Sequence, residues 1–194
     1  MERRSSPPAA GRRGPLRSRS PLPAVRIRPA RLDDAAALAR VMRAAIRGLA
    51  RGAYPPRLLA AWARLPPVYH RWAMTAGGET LLVAVRGDRV VGYVGVRGAE
   101  VTALFVYPGV ARRGIAARLL GRVEREAARR GVRRVTVRAA RSGEAFYAAR
   151  GYLPVRRISV PLPGGASLPS RLLAKALLPA GPSARRPGCG ARSK

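Results

Sequence analysis

The chain has 194 residues, 47% of them apolar, enough to bury one sizeable core, and it contains no run near the roughly 20 apolar residues of a membrane span. With a lone cysteine, Cys189, and a lone histidine, His70, it offers no basis for an internal disulfide, a zinc site or a Ser-His-Asp triad, so we expect a cytoplasmic protein with no metal and no membrane partner. The formal charge of +30 comes from arginine except at Lys175 and Lys194, a bias that a GC-rich coding sequence produces; it favours an anionic ligand and leaves nucleic acid as a non-specific partner.

Residues 1–24 combine Pro, Ser, Gly and Arg and cannot offset the entropy of ordering, so they are expected to form a disordered leader. Val25 to Arg28 alternates like a half-buried strand that stops at Pro29, and Asp33 is placed to cap a helix. That helix carries Leu38, Val41, Met42, Ala45 and Leu49 on one face and is closed by Gly52. Pro55-Pro56 opens a second helix with Leu58, Leu59 and Trp62, and Pro66-Pro67 precedes a short helical stretch through Trp72.

Leu81 to Val85, a turn at Gly87-Asp88 and Val90 to Val96 predict a hairpin, and Val101 to Val106 a further strand ending at Pro108. Gly114 to Arg130 reads as a helix with Ile115, Leu119, Leu120, Val123 and Ala127 on one face, ended by Gly131. Arg134 to Arg138 is the next strand, Gly143 to Arg150 a short helix, and Val155 to Val160 and Arg171 to Leu177 the last two strands. The order implies a mixed α/β sheet with helices on both faces, in a domain over residues 25–178, followed by a disordered basic tail over 179–194.

Leu104-Phe105-Val106-Tyr107-Pro108 followed by Arg112-Arg113-Gly114-Ile115-Ala116-Ala117 reads as buried strand, loop and helix start. The first turn of a helix presents N–H groups without intrahelical acceptors and the positive end of its dipole, which suits a pyrophosphate. Gly114 lets the backbone approach closely, Ala116 keeps the next turn clear, and Arg112 or Arg113 adds charge. Taken alone, the string is equally an ordinary glycine helix start with solvated arginines.

In this order the segment resembles the acetyl-CoA motif of the GNAT N-acetyltransferases, Gln/Arg-x-x-Gly-x-Gly/Ala after an L-x-V-x-P strand, with Leu104, Val106, Pro108, Gly114 and Ala116 matching and Ala111 at the usual Gln/Arg position. Phe146-Tyr147 to Gly151-Tyr152 resembles the family's F-Y-x-x-x-G-F/Y element, with Ala140 where an Asn is usual. Tyr54, Leu58 to Ala63 and Leu173-Ala174-Lys175 resemble the YafP-like bacterial branch.

The resemblance implies a mostly antiparallel sheet splayed in the middle, with acetyl-CoA as co-substrate bound along Leu104, Phe105 and Val106 and on the turn from Arg112 to Ala117. It implies transfer of the acetyl group to a primary amine of a small molecule or protein, by a monomer or homodimer, with Tyr147 as general acid. Adjacent helical residues cannot share a face, so if Phe146 fills the core Tyr147 points elsewhere. Glu100, at the start of the co-substrate strand, Glu79 and His70 are the candidate bases, while the position where YafP-like relatives carry an acid is Thr102. Tyr54, Trp62 and Trp72 are expected to wall the acceptor site, with Phe105 facing them. Ala111 and Ala140 keep open a non-catalytic acyl-CoA-binding regulator, and the charge a basic nucleic-acid-associated protein.

Overall fold

Residues 24–178 are described by the computed structural model; the expected leader, apart from Ala24, and the expected tail lie outside the described residues. The elements are β1 (Val25–Pro29), α1 (Ala35–Leu49), α2 (Pro56–Trp62), α3 (Pro67–Met74), β2 (Thr80–Arg86), β3 (Arg89–Arg97), β4 (Glu100–Val106), α4 (Ile115–Arg129), β5 (Arg134–Ala140), α5 (Glu144–Ala148), β6 (Leu153–Pro161) and β7 (Ser167–Ala176). The strands form one sheet in the order β1-β2-β3-β4-β5-β7-β6. Each neighbouring pair is antiparallel except β4–β5, which is parallel.

Period-two alternation divides the apolar residues between two cores. Leu81, Val83 and Val85 of β2 face α1 and α3, joined by Leu38, Val41, Met42 and Ile46. On the other face Ala84, Val94, Val101 and Val106 pack against Ile115, Leu119, Leu120 and Val123 of α4. Helices therefore cover both faces, and β4 contributes to each core: Phe105 to the first, Leu104 to the second.

Four local expectations need correction. Asp34, not Asp33, clamps the entry to α1: its carboxylate accepts the Arg31 backbone N–H at 2.7 Å and both Arg28 guanidinium nitrogens at 2.7 and 2.9 Å, while the Asp33 side chain stays 97% exposed. Leu49 is exposed, because the last buried position of α1 is Ile46, one turn earlier. β7 begins at Ser167, ahead of Pro169. That proline lies one residue past the last β5–β7 pair, Ala140↔Ser170, so its missing N–H leaves no β5 acceptor unpaired. β6 likewise begins early, at Leu153, and tolerates Pro154 because it is the sheet edge.

Candidate functional site

The parallel pair β4–β5 is where the sheet opens. Its registered partners are Glu100↔Thr136 and Val101↔Val137, and the pairing ends there. On the other side of β4, Tyr107 N–H donates to Val91 O at 2.8 Å and Phe105 pairs with Tyr93. Backbone bonds alternate along an antiparallel strand, so the N–H and C=O groups of Leu104 and Val106 point away from β3, into the gap that β5 has left. A strand edge in this state can be completed by an extended ligand.

The gap continues into the turn before α4. Arg112 has φ +60° and Gly114 φ +77°, both left-handed, and a Cβ on Gly114 would meet no atom within 4 Å. The first intrahelical bond runs from Arg118 N–H to Gly114 O at 3.0 Å, so the N–H groups of Ile115, Ala116 and Ala117 precede it and point out of the helix end. Holding Arg112 in the left-handed region costs on the order of 1 kcal/mol. The turn is thus shaped to present backbone donors over an open space. Arg112 borders that space with Gly114, Ile115, Ala116 and Ala117; Arg113 does not.

The two openings belong to one cavity of about 1080 Å³, which runs from α4 and α5 across the splayed strands to α1, α2 and α3. Tyr147 lines it and is 6% exposed. Burial pushes its hydroxyl well above the ordinary tyrosine range, so the group keeps its proton. Within α5 Tyr147 is the buried residue, packed edge-on against Tyr152 at 5.4 Å, and Phe146 is half-buried with the Arg150 guanidinium 3.9 Å above its ring, so the condition that Phe146 alone fills the core is not met. The larger core lies on the Tyr147 side because β5 and Tyr152 close there, a long-range fact that helical spacing does not carry.

Of the three carboxyl and imidazole candidates, Glu100 lies where β4 and β5 still pair and is held by Arg138 at 2.6 and 3.3 Å. Glu79, just before β2, lies deeper, its side chain 7% exposed. It accepts hydrogen bonds from Thr102 Oγ1 and Arg97, both at 2.9 Å. Thr102 is the residue that the register shift between β3 and β4 leaves without a partner, and a Cβ on Gly95 would stand 2.8 Å from its Oγ1 and 3.1 Å from Glu79 Oε2. His70 is 3% exposed with Nε2 unpartnered; burial, with the Arg43 charge, pushes it down to about 4, so it is neutral at pH 7.

The aromatic residues separate. Trp62 lines the cavity and packs on Phe105 at 6.0 Å. Tyr54 stands behind the wall: its hydroxyl accepts Arg141 N–H at 2.8 Å and donates to Pro169 O at 2.7 Å, tying the chain ahead of α2 to β7 and to the turn that follows β5. Trp72 closes the corner between α3 and β2, 49% exposed, and does not border the cavity. Sequence reasoning missed Tyr69 and Tyr93, which line the cavity beside His70, and the β6–β7 loop at Leu162-Pro163, which forms its far wall. The Pro163-Gly164-Gly165 turn was the signal for that loop; Tyr93 looked like an ordinary strand residue.

Among the described residues, no group of three His, Cys, Asp or Glu is placed to hold a metal, and no helix is long and apolar enough to cross a membrane. Residues 61–159 match the family model of the acetyltransferase (GNAT) domain. A GCN5-related N-acetyltransferase from Rhodopseudomonas palustris is 27% identical, with a TM-score of 0.74 over 82% of this chain and 100% of its own. The PaiA N-acetyltransferase of Thermoplasma acidophilum, solved with coenzyme A, is 17% identical with a TM-score of 0.64 over 79% of this chain and 99% of its own. The putative acetyltransferase YncA of Salmonella typhimurium, solved with acetyl-CoA, is 20% identical with a TM-score of 0.59 over 82% of this chain and 97% of its own. None of the curated protein sequences compared with the chain matches it.

Proposed function

The chain belongs to the GNAT acetyltransferase family, and from that premise we propose that it is a cytoplasmic N-acetyltransferase, moving the acetyl group of acetyl-CoA to a primary amine. The observation that carries this reading is the meeting, in one cavity, of an unpaired β4 edge and a helix start with open backbone donors. The solved complexes of PaiA with coenzyme A and of YncA with acetyl-CoA support the choice of co-substrate. Residues 25–178 form the catalytic domain in this reading.

The backbone groups of Leu104 and Val106 pair with the amide-bearing arm of the co-substrate, while Phe105 directs its side chain to the acceptor half. N–H groups of Gly114 to Ala117, with the Arg112 charge, hold the pyrophosphate. The acceptor nitrogen attacks the thioester carbon, a C–N bond forms, and the C–S bond breaks. Tyr147, protonated and buried at the cavity wall, gives the departing sulfur its proton. Tyr54, Lys175 and their neighbours fit the YafP-like branch, and both side chains have framework duties: Tyr54 as described, Lys175 by its 2.9 Å bond to Glu124 of α4.

Ala111 and Ala140 border the cavity without offering a polar side chain, which favours as second reading an acyl-CoA-binding regulator. Titration calorimetry with acetyl-CoA, followed by thiol release across an amine panel, tests both. Saturable micromolar binding with turnover is expected; binding without turnover selects the regulator, and absence of binding contradicts both.

A further inference from the structure

The acceptor half of the cavity has a composition of its own. Ring contacts run without interruption from Trp62 to Phe105 at 6.0 Å, Phe105 to Tyr93 at 5.5 Å, Tyr93 to His70 at 5.7 Å and His70 to Tyr69 at 5.7 Å, and all five residues line the cavity. Tyr93 and His70 are buried, and Phe105 and Tyr69, which they contact, are partly exposed. The carboxylate on this side is Glu79, at 7% side-chain exposure. Arg97 and Thr102 each occupy one position, on Oε1 and Oε2 respectively, leaving further lone pairs for a donor.

We propose that the acceptor is a monocationic arylalkyl amine, its ring held by Trp62, Phe105 and Tyr69 and its nitrogen received by Glu79, which takes the amine proton. This rests on the transferase reading above and names its substrate class. An aromatic wall accepts an apolar ring and favours a cation beside it, and Glu79, already paired with Arg97, keeps acceptor positions into which an ammonium can donate. Longer polycations are disfavoured: Arg97 and Arg138, paired with Glu79 and Glu100, and the further arginines Arg112 and Arg150 border the cavity, four positive groups against two carboxylates, so a second ammonium enters a net positive surround.

The protons balance. The bound ammonium gives one proton to Glu79 and becomes nucleophilic. As the tetrahedral species collapses, the thiolate takes a proton from Tyr147, and the second nitrogen proton restores Tyr147. The products are the N-acetyl amine, CoA thiol and one proton, which Glu79 releases to solvent. Thr102 and Arg97 hold the Glu79 carboxylate in place and are positioning residues in this account.

The test measures kcat/KM for 2-phenylethylamine, ethylamine and spermidine by thiol release, with the N-acetyl product identified by mass spectrometry. The phenyl amine is expected to exceed the other two by about tenfold or more, the worth of one well-buried ring. Glu79→Gln should lower kcat/KM for it by about 10²-fold, with acetyl-CoA affinity within twofold of the parent. If that variant does not fold, Trp62→Leu supplies the second reading, drawing the phenylethylamine-to-ethylamine ratio toward one. Preference for ethylamine or spermidine, an unchanged ratio in Trp62→Leu, or full activity in Glu79→Gln overturns the inference while leaving the transferase reading intact. Acetyl-CoA binding without turnover of any amine, or no binding, overturns both.

Discussion

The two halves of the cavity are built from different materials. On the α4 side the contacts offered are backbone ones, the edge of β4 and the N–H groups after Gly114, fixed by strand register and by two left-handed residues. On the α1–α3 side they are side chains, a row of rings and one carboxylate, contributed by α2, α3, β3, β4 and the residue ahead of β2. A backbone site serves a ligand that does not change, and a side-chain site is free to vary with the acceptor. Substitutions in one half should therefore leave the measured property of the other nearly unchanged.

Tyr147 lines the cavity on the α4 side, and its hydroxyl gives the largest expected effect. Tyr147→Phe should lower kcat by about 10²–10³-fold while acetyl-CoA affinity and thermal stability hold. A parallel loss of affinity would place the hydroxyl in co-substrate binding. Gly114→Ala comes next. At φ +77° an alanine is strained by about 1–2 kcal/mol although its Cβ has open space. Acetyl-CoA affinity, measured by calorimetry, should fall about tenfold as the turn relaxes, with the ranking of amines unchanged.

Gly114 was legible in the sequence because a glycine before an apolar-periodic helix is a local signal, and so were most elements of the fold. The strand Leu104 to Val106 and the helix from Ile115 could be read from alternation and period alone. The acceptor half was not legible in that way. Glu79 matters because a register shift brings Thr102 over Gly95, and that depends on how β3 and β4 pair. The aromatic-rich helical region makes Tyr54 and Trp72 look like wall residues, but the Tyr54 hydroxyl is committed to Arg141 and Pro169, and Trp72 falls outside the cavity. Which of Phe146 and Tyr147 is buried was open in the sequence, since five residues of helix do not reveal which face the sheet will cover.

Gly95→Ala tests the acceptor half more gently. Its new Cβ would press on Thr102 Oγ1 and Glu79 Oε2, so the hydrogen-bonded pair must shift to make room. A several-fold drop in kcat/KM for amines, with unchanged acetyl-CoA affinity, is expected; an equal drop in co-substrate affinity would break the separation of the halves.

The smallest effect concerns neither half. The Arg28 guanidinium beside Asp34 holds its carboxyl below the usual carboxylate range. This clamp therefore stabilises the fold above about pH 4 and is lost as the pH falls through the lowered folded value. Asp34→Asn should cost about 1 kcal/mol at pH 7, and the gap from the parent in thermal melts should close in acid, with amine preference unaffected.

The central claim is that one cavity brings a backbone-held acetyl thioester to an amine, and the most direct test is the product itself. Purified protein incubated with acetyl-CoA and 2-phenylethylamine should yield N-acetyl amine and CoA thiol in equal amounts by mass spectrometry. Thiol without N-acetyl amine, or neither product at saturating acetyl-CoA across the amine panel, would contradict it.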